Sequence, residues 1–141
     1  MRVSRSTARI ARGAKEEVSP NTNVALVRGT LVALPTVRVI DRHQRATTFD
    51  LATIVSGKRA VVPVVALNMD LPIIKVGDDV TVLGHVRRRF FRIGARTQSV
   101  TELMVEHIVS GSKTARLEKL YAVLGSRIRE TRSTSAARHS D

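Results

Sequence analysis

Val80-Thr81-Val82-Leu83-Gly84-His85-Val86-Arg87-Arg88-Arg89-Phe90-Phe91-Arg92 carries a long extended segment straight into a basic, aromatic tip. Side chains alternate across a strand, so Leu83, His85, Arg87, Arg89 and Phe91 share one face. Val80, Val82, Val86 and Phe90 share the other. The first face spaces cations along an extended chain and adds one ring, a combination suited to a phosphate backbone and to the face of a base. The second face is apolar and asks for a core, so Phe90 is expected to pack inward. Arginines on an edge strand also deter aggregation, and the rest of the chain has to decide between these uses.

Working outward from that stretch, the flanking sequence is also strand-rich. Val24 to Leu34 is almost continuously apolar, interrupted by Arg28-Gly29-Thr30, and Gly29 marks a bulge or sharp bend. Val37 to Ile40 follows Pro35, and Asp41-Arg42-His43-Gln44 reads as a turn. Thr47, Phe49, Leu51 and Thr53 alternate with Thr48, Asp50 and Ala52. Ser56-Gly57-Lys58 is a tight connection into Ala60 to Leu67, where Pro63 demands a sheet edge or a bulge. Residues 68–79 leave room for a turn or two of helix near Leu71-Pro72-Ile73. Gly84 predicts a second bend, and Ile93-Gly94-Ala95-Arg96 closes a hairpin into Thr101 to Glu106. Five or so bent antiparallel strands with a short helical connection between the fourth and the fifth predict an all-β domain. Its expected form is a five-stranded OB-fold barrel over residues 23–109.

Residues 1–22 read as a basic flexible arm. Residues 110–141 read as a basic tail, with a helix at 114–130 whose stripe is Leu117, Leu120, Tyr121, Leu124 and Ile128. That stripe suits either docking on the barrel or a partner. Beyond Thr131 the Ser, Thr, Ala and Arg mixture predicts disorder.

The 141 residues carry a formal charge of +12, distributed as +3, +5 and +4 over residues 1–22, 23–109 and 110–141. An anionic partner follows. Nineteen of the twenty-four basic residues are arginine, which favours forked contacts and stacking. Cysteine is absent, which removes disulfides and thiolate metal sites. No apolar run is long enough to span a bilayer. The N-terminal arginines have the composition of an organelle transit segment, but Glu16 and Glu17 follow at once, and a cytoplasmic protein is expected.

His43, His85, His107 and His139 do not fall at metal-ligand spacing, and no nucleophile-elbow or phosphate-loop pattern frames the Ser, His and Asp residues. An enzyme is not expected, nor a metal or cofactor. Glu102 and Glu106 are too far apart along an extended chain to form a tight acid pair, and are expected to be solvated or interface carboxylates.

Several stretches, in order, resemble the bacterial single-stranded-DNA-binding proteins. They are Asn23-Val24-Ala25-Leu26-Val27-Arg28-Gly29-Thr30-Leu31, Val37-Arg38-Val39, Ala46 to Thr53, Lys75 to Arg87, and Thr101 to Ile108. The resemblance covers about residues 23–109. It implies an OB-fold subunit that assembles as a homo-oligomer, usually a tetramer, although a dimer would also serve. It also implies wrapping of single-stranded DNA without sequence preference, in replication, recombination or repair.

The departures are specific. The family stacks bases on several aromatic residues, often tryptophans, and this chain has no tryptophan. Phe91 fills one such position, while Gly57, Val61 and Leu67 fall at the others. The acidic, hydrophobic tip by which the family recruits replication and repair proteins is missing from Ala137-Arg138-His139-Ser140-Asp141. A divergent or accessory member is expected. Its nucleic-acid site would centre on Arg87, Arg89 and Phe91, with Arg88, Arg92 and Arg96 on the hairpin tip and Lys58, Arg59 and Lys75 extending the basic track. The alternatives are an oligomeric protein-interaction module derived from the same barrel with weak DNA binding, and an RNA-binding OB module.

Overall fold

The computed structural model describes residues 21–140, with side chains described through residue 130. The basic arm of residues 1–22 therefore lies almost wholly outside the described residues. Six strands precede one helix: β1 Ala25–Leu31, β2 Thr36–Asp41, β3 Gln44–Val55, β4 Lys58–Leu67, β5 Asp79–Ile93, β6 Arg96–Ser110 and α1 Thr114–Ser140.

The barrel closes because β1 serves two neighbours. It pairs with β5 from Ala25↔Gly84 to Thr30↔Asp79, then with β3 at Thr30↔Ala52 and Leu31↔Leu51. Gly29 sits at the changeover, where an added Cβ would stand 2.5 Å from the Ala52 carbonyl oxygen. Only glycine lets the two backbones come that close. The circuit β1-β5-β6-β4-β3 returns to β1, leaving β2 hydrogen-bonded to β3 alone. This is the five-stranded OB-fold barrel. The β4–β6 contact is parallel and consists of Val64↔Leu103 and Val65↔Met104. It begins immediately after Pro63, the residue that cannot donate to a ladder.

The interior takes the alternate residues that the pattern assigns to it: Leu31, Phe49, Leu51, Val64, Val80, Val82, Leu103 and Val105 are buried together. The chain crosses from β3 to β4 through Ser56 and Gly57, both at positive φ (51° and 77°), the geometry of the tightest hairpin turns.

The connection from β4 to β5 contains no helix, against the expected turn or two. Residues 69–75 run without regular structure. Ile74 enters the core, with Met69 and Leu71 packed against it, so the segment spends its apolar residues closing the barrel end rather than forming a helical stripe.

Residues Asn23–Leu124 form one compact unit, which holds the barrel and the first part of α1. Within it Leu117 and Leu120 are buried. Arg28 of β1 chelates Asp79 of β5 (2.6–3.2 Å), beside the Tyr121 side chain of α1. The rest of α1 falls in a second unit and is a continuous helix through Ser140, where disorder was expected past residue 131. After Gly125 neither Gly nor Pro interrupts the chain, so no strong helix breaker stands among its Ser, Thr, Arg and Ala residues.

Candidate nucleic-acid interface

The hairpin of β5 and β6 is fifteen residues on each side and outruns the barrel. Below Leu103 the β6 strand is shared with β4. Above it, Arg87–Ile93 and Arg96–Glu102 pair only with each other and project as an arm. At about 3.3 Å per residue the free part is roughly 20 Å long.

The arm has two faces, and register assigns them. Arg87↔Glu102, Arg89↔Val100 and Phe91↔Gln98 stand on the side continuous with the barrel's outer surface. Val86↔Leu103, Arg88↔Thr101 and Phe90↔Ser99 stand on the side continuous with the interior. Phe90 was expected to pack inward and instead is 63 % exposed. The alternation itself holds. By Val86, however, the strand has left the barrel, so the face that buries Val80 and Val82 below meets solvent above.

The outer side borders a groove of about 230 Å³ that crosses the sheet from β2 to the arm. Its walls are Arg38 and Ile40 of β2 and Arg87 and Arg89 of β5, and Val65 and Leu67 lie between. Arg38 reaches it through a register row, Arg38↔Ala46↔Leu67, running across three strands. Nothing in the local sequence marks Arg38 as part of this groove. Alternation in Val37-Arg38-Val39 separates it from the valines, but only strand pairing brings it opposite Arg87 and Arg89.

Glu102 lies at the foot of the arm and is 6 % exposed, so of the two expected roles, solvated or interface carboxylate, the solvated one does not hold. Its Oε1 accepts from Arg87 Nη2 at 3.1 Å and from Arg89 Nε at 3.2 Å, and its Oε2 accepts from Arg89 Nη2 at 3.5 Å. Burial alone would push this carboxyl up. Hydrogen bonds from Arg89 and Arg87, and their charges, outweigh that and hold it below the usual carboxylate range. The Arg89 guanidinium also lies 5.3 Å from the Phe91 ring centroid. Phe91, Arg89, Glu102 and Arg87 thus form one connected column. Arg87 Nε is buried without a hydrogen-bond partner, while the guanidinium reaches Glu102 through Nη2.

The other proposed cations are dispersed. Arg88 stands on the opposite face, held by the Ser99 hydroxyl at 3.0–3.1 Å and 5.1 Å from the Phe90 ring centroid. Arg92, paired with Thr97, shares that face, and Arg96 borders the tip turn. Lys58 and Arg59 leave the β3–β4 turn. Because β4 runs parallel to β6, they point along the barrel toward the arm's end. Lys75 precedes β5, about ten residues of strand (roughly 30 Å) before Arg89, and does not join the cluster. Val61 and Leu67 are exposed aliphatics, and of the two only Leu67 lines the groove.

Chemically the groove offers forked cations over an aliphatic floor, with the Phe91 ring further along the same face of the arm. Among the described residues no cluster of His, Asp or Glu could hold a metal ion.

No protein-family model matches the sequence, and no curated protein does. Among solved structures the chain is similar to one described as "Plasmodium falciparum SSB complex with ssDNA", with a TM-score of 0.57 and 15 % identity over 65 % of this chain and 96 % of that one. At that identity the likeness speaks for the OB-fold.

Proposed function

We propose that this chain binds single-stranded DNA without sequence preference, along the groove between β2 and the β5–β6 arm. One observation carries the reading: Arg87, Arg89 and Phe91 stand on a single face of a projecting arm that borders the open outer surface of an OB barrel. Strands and hairpin arms of this fold are where oligonucleotides lie. Such a groove accepts any sequence, because positive charge attracts phosphates and flat groups stack on bases regardless of identity. Similarity to a structure solved with ssDNA supports the choice of ligand. On this reading the chain is a divergent or accessory relative of the bacterial single-stranded-DNA-binding proteins. It would act in the cytoplasm during replication, recombination or repair.

A second reading has an observation of its own. Val37 of β2 and Ile73 are exposed large aliphatics that border one shared depression, and Val39 continues the Val37 face of β2. Patches of this kind mark protein contacts, so homo-oligomeric assembly would accompany binding.

The test is fluorescence anisotropy of labelled oligo-dT, matched duplex DNA and single-stranded RNA at about 50 and 200 mM salt. Oligo-dT binding that exceeds duplex binding and survives the higher salt supports the proposal. Binding that collapses with salt and ignores strandedness would refute it.

A further inference from the structure

A phosphate track needs cations, yet the Arg87–Arg89 pair on this face is tied to a buried acid. Glu102 faces Arg87 across the β5–β6 ladder and binds both guanidiniums, and Arg89 continues onto the Phe91 ring. We propose that Glu102 is a positioning residue that converts Arg87 and Arg89 from phosphate contacts into stacking platforms for bases. This rests on the single-strand reading above.

Three observations lead there. First, two guanidiniums and one carboxylate carry a net charge of +1, so the cluster can neutralise one phosphate rather than two. A buried carboxylate also repels the backbone, which favours a path with phosphates outside and bases turned toward the column. Second, Glu102 takes the Nε–Nη2 edge of Arg89, which fixes the plane of that guanidinium. A planar cation held in advance loses little freedom when a base stacks on it. Third, rings are scarce. The chain has no tryptophan, Phe49 is in the core and Phe90 is on the opposite face. Phe91 is therefore the one phenylalanine on the groove side; the His85 ring lower on that face is engaged by Glu106 at 2.6 Å, which leaves the flat guanidiniums as the groups beside Phe91 able to stack on bases.

The experiment is the salt dependence of oligo-dT affinity for the full chain and for Glu102→Gln and Arg89→Lys. Glu102→Gln is expected to release one positive charge toward phosphate. The plot of log affinity against log salt should steepen by about 0.7, with tighter binding at about 50 mM salt and weaker binding at about 300 mM. Arg89→Lys keeps the charge and loses the plane. Its slope should match the parent while affinity falls about tenfold at every salt, the scale of one lost stack. Thermal unfolding of each variant checks folding, and Arg87→Lys with Arg89→Lys carries the test if Glu102→Gln does not fold. The proposal is overturned if Glu102→Gln binds more tightly at both salts with an unchanged slope, or if Arg89→Lys equals the parent. Parent binding that ignores strandedness overturns the functional reading and this proposal together. Intact parent binding with unresponsive variants overturns this proposal alone.

Discussion

The two faces of the β5–β6 arm hold nearly the same residues: a valine or histidine below, arginines in the middle, a phenylalanine above. On one face Arg88 rests over Phe90, held by a serine hydroxyl, and both are open to solvent. On the other Arg89 rests over Phe91, but a buried carboxylate from the facing strand ties it to Arg87. The strand's own sequence scarcely distinguishes the faces. The difference comes from what stands opposite, Glu102 on one side and Ser99 on the other, and from which side continues into the groove. An ion pair to a nearly buried carboxylate is held more firmly than an exposed one, because leaving that charge unpaired is costly. The groove face is therefore preset, while the opposite face is free to adapt.

The largest effect is expected where the two faces are kept apart. The ladder shifts register between Leu83 and Gly84, and a Cβ on Gly84 would overlap the Met104 carbonyl oxygen. Gly84→Ala should cost about 3 kcal/mol or more, since backbone rather than a flexible side chain must yield. Denaturant unfolding checks this, and a variant as stable as the parent would remove the bulge from the account. Next comes the double substitution Arg89→Ala with Phe91→Ala. We expect about a hundredfold loss of oligo-dT affinity, from two lost stacking partners, while Arg88→Ala with Phe90→Ala on the opposite face should stay within about threefold. Equal losses would erase the distinction between the faces.

A smaller effect follows from pH. Glu102 and Asp79 are both held below the ordinary carboxylate range, Glu102 by its arginines against the pull of burial and Asp79 by its hydrogen bonds to Arg28. A carboxyl depressed in the folded state stabilises fully above its unfolded pKa, about 4. That contribution disappears as pH falls through the lower folded value. The melting temperature should therefore drop below about pH 4, and Glu102→Gln should flatten that drop. Asp79→Asn should flatten it less, because the Arg28–Asp79 pair is more exposed and better screened.

Much of the barrel was readable from the chain. Period-two alternation identified Phe49, Leu51, Val80 and Val82 as core, and Gly29 and Gly84 marked the places where backbones come closest. The site was readable only in part. Arg87, Arg89 and Phe91 share a face because alternation dictates it. The burial of Glu102 depends on its partner fifteen residues earlier, and Arg38 depends on a row across three strands. Both are properties of register, which no local pattern reveals. Phe90 was misassigned because alternation reports the face and not the height at which a strand leaves the barrel. The helix expected at residues 68–79 failed for a related reason: Ile74 is needed as a plug in the barrel end, and that tertiary demand overrides local propensity.

The most direct test of the groove assignment sets two neighbouring rings against each other. Phe90→Ala and Phe91→Ala are compared by oligo-dT anisotropy at about 200 mM salt, where charge alone contributes least. The account predicts about a tenfold loss for Phe91→Ala and no change for Phe90→Ala. Unchanged binding in both, or a larger loss for Phe90→Ala, would contradict it.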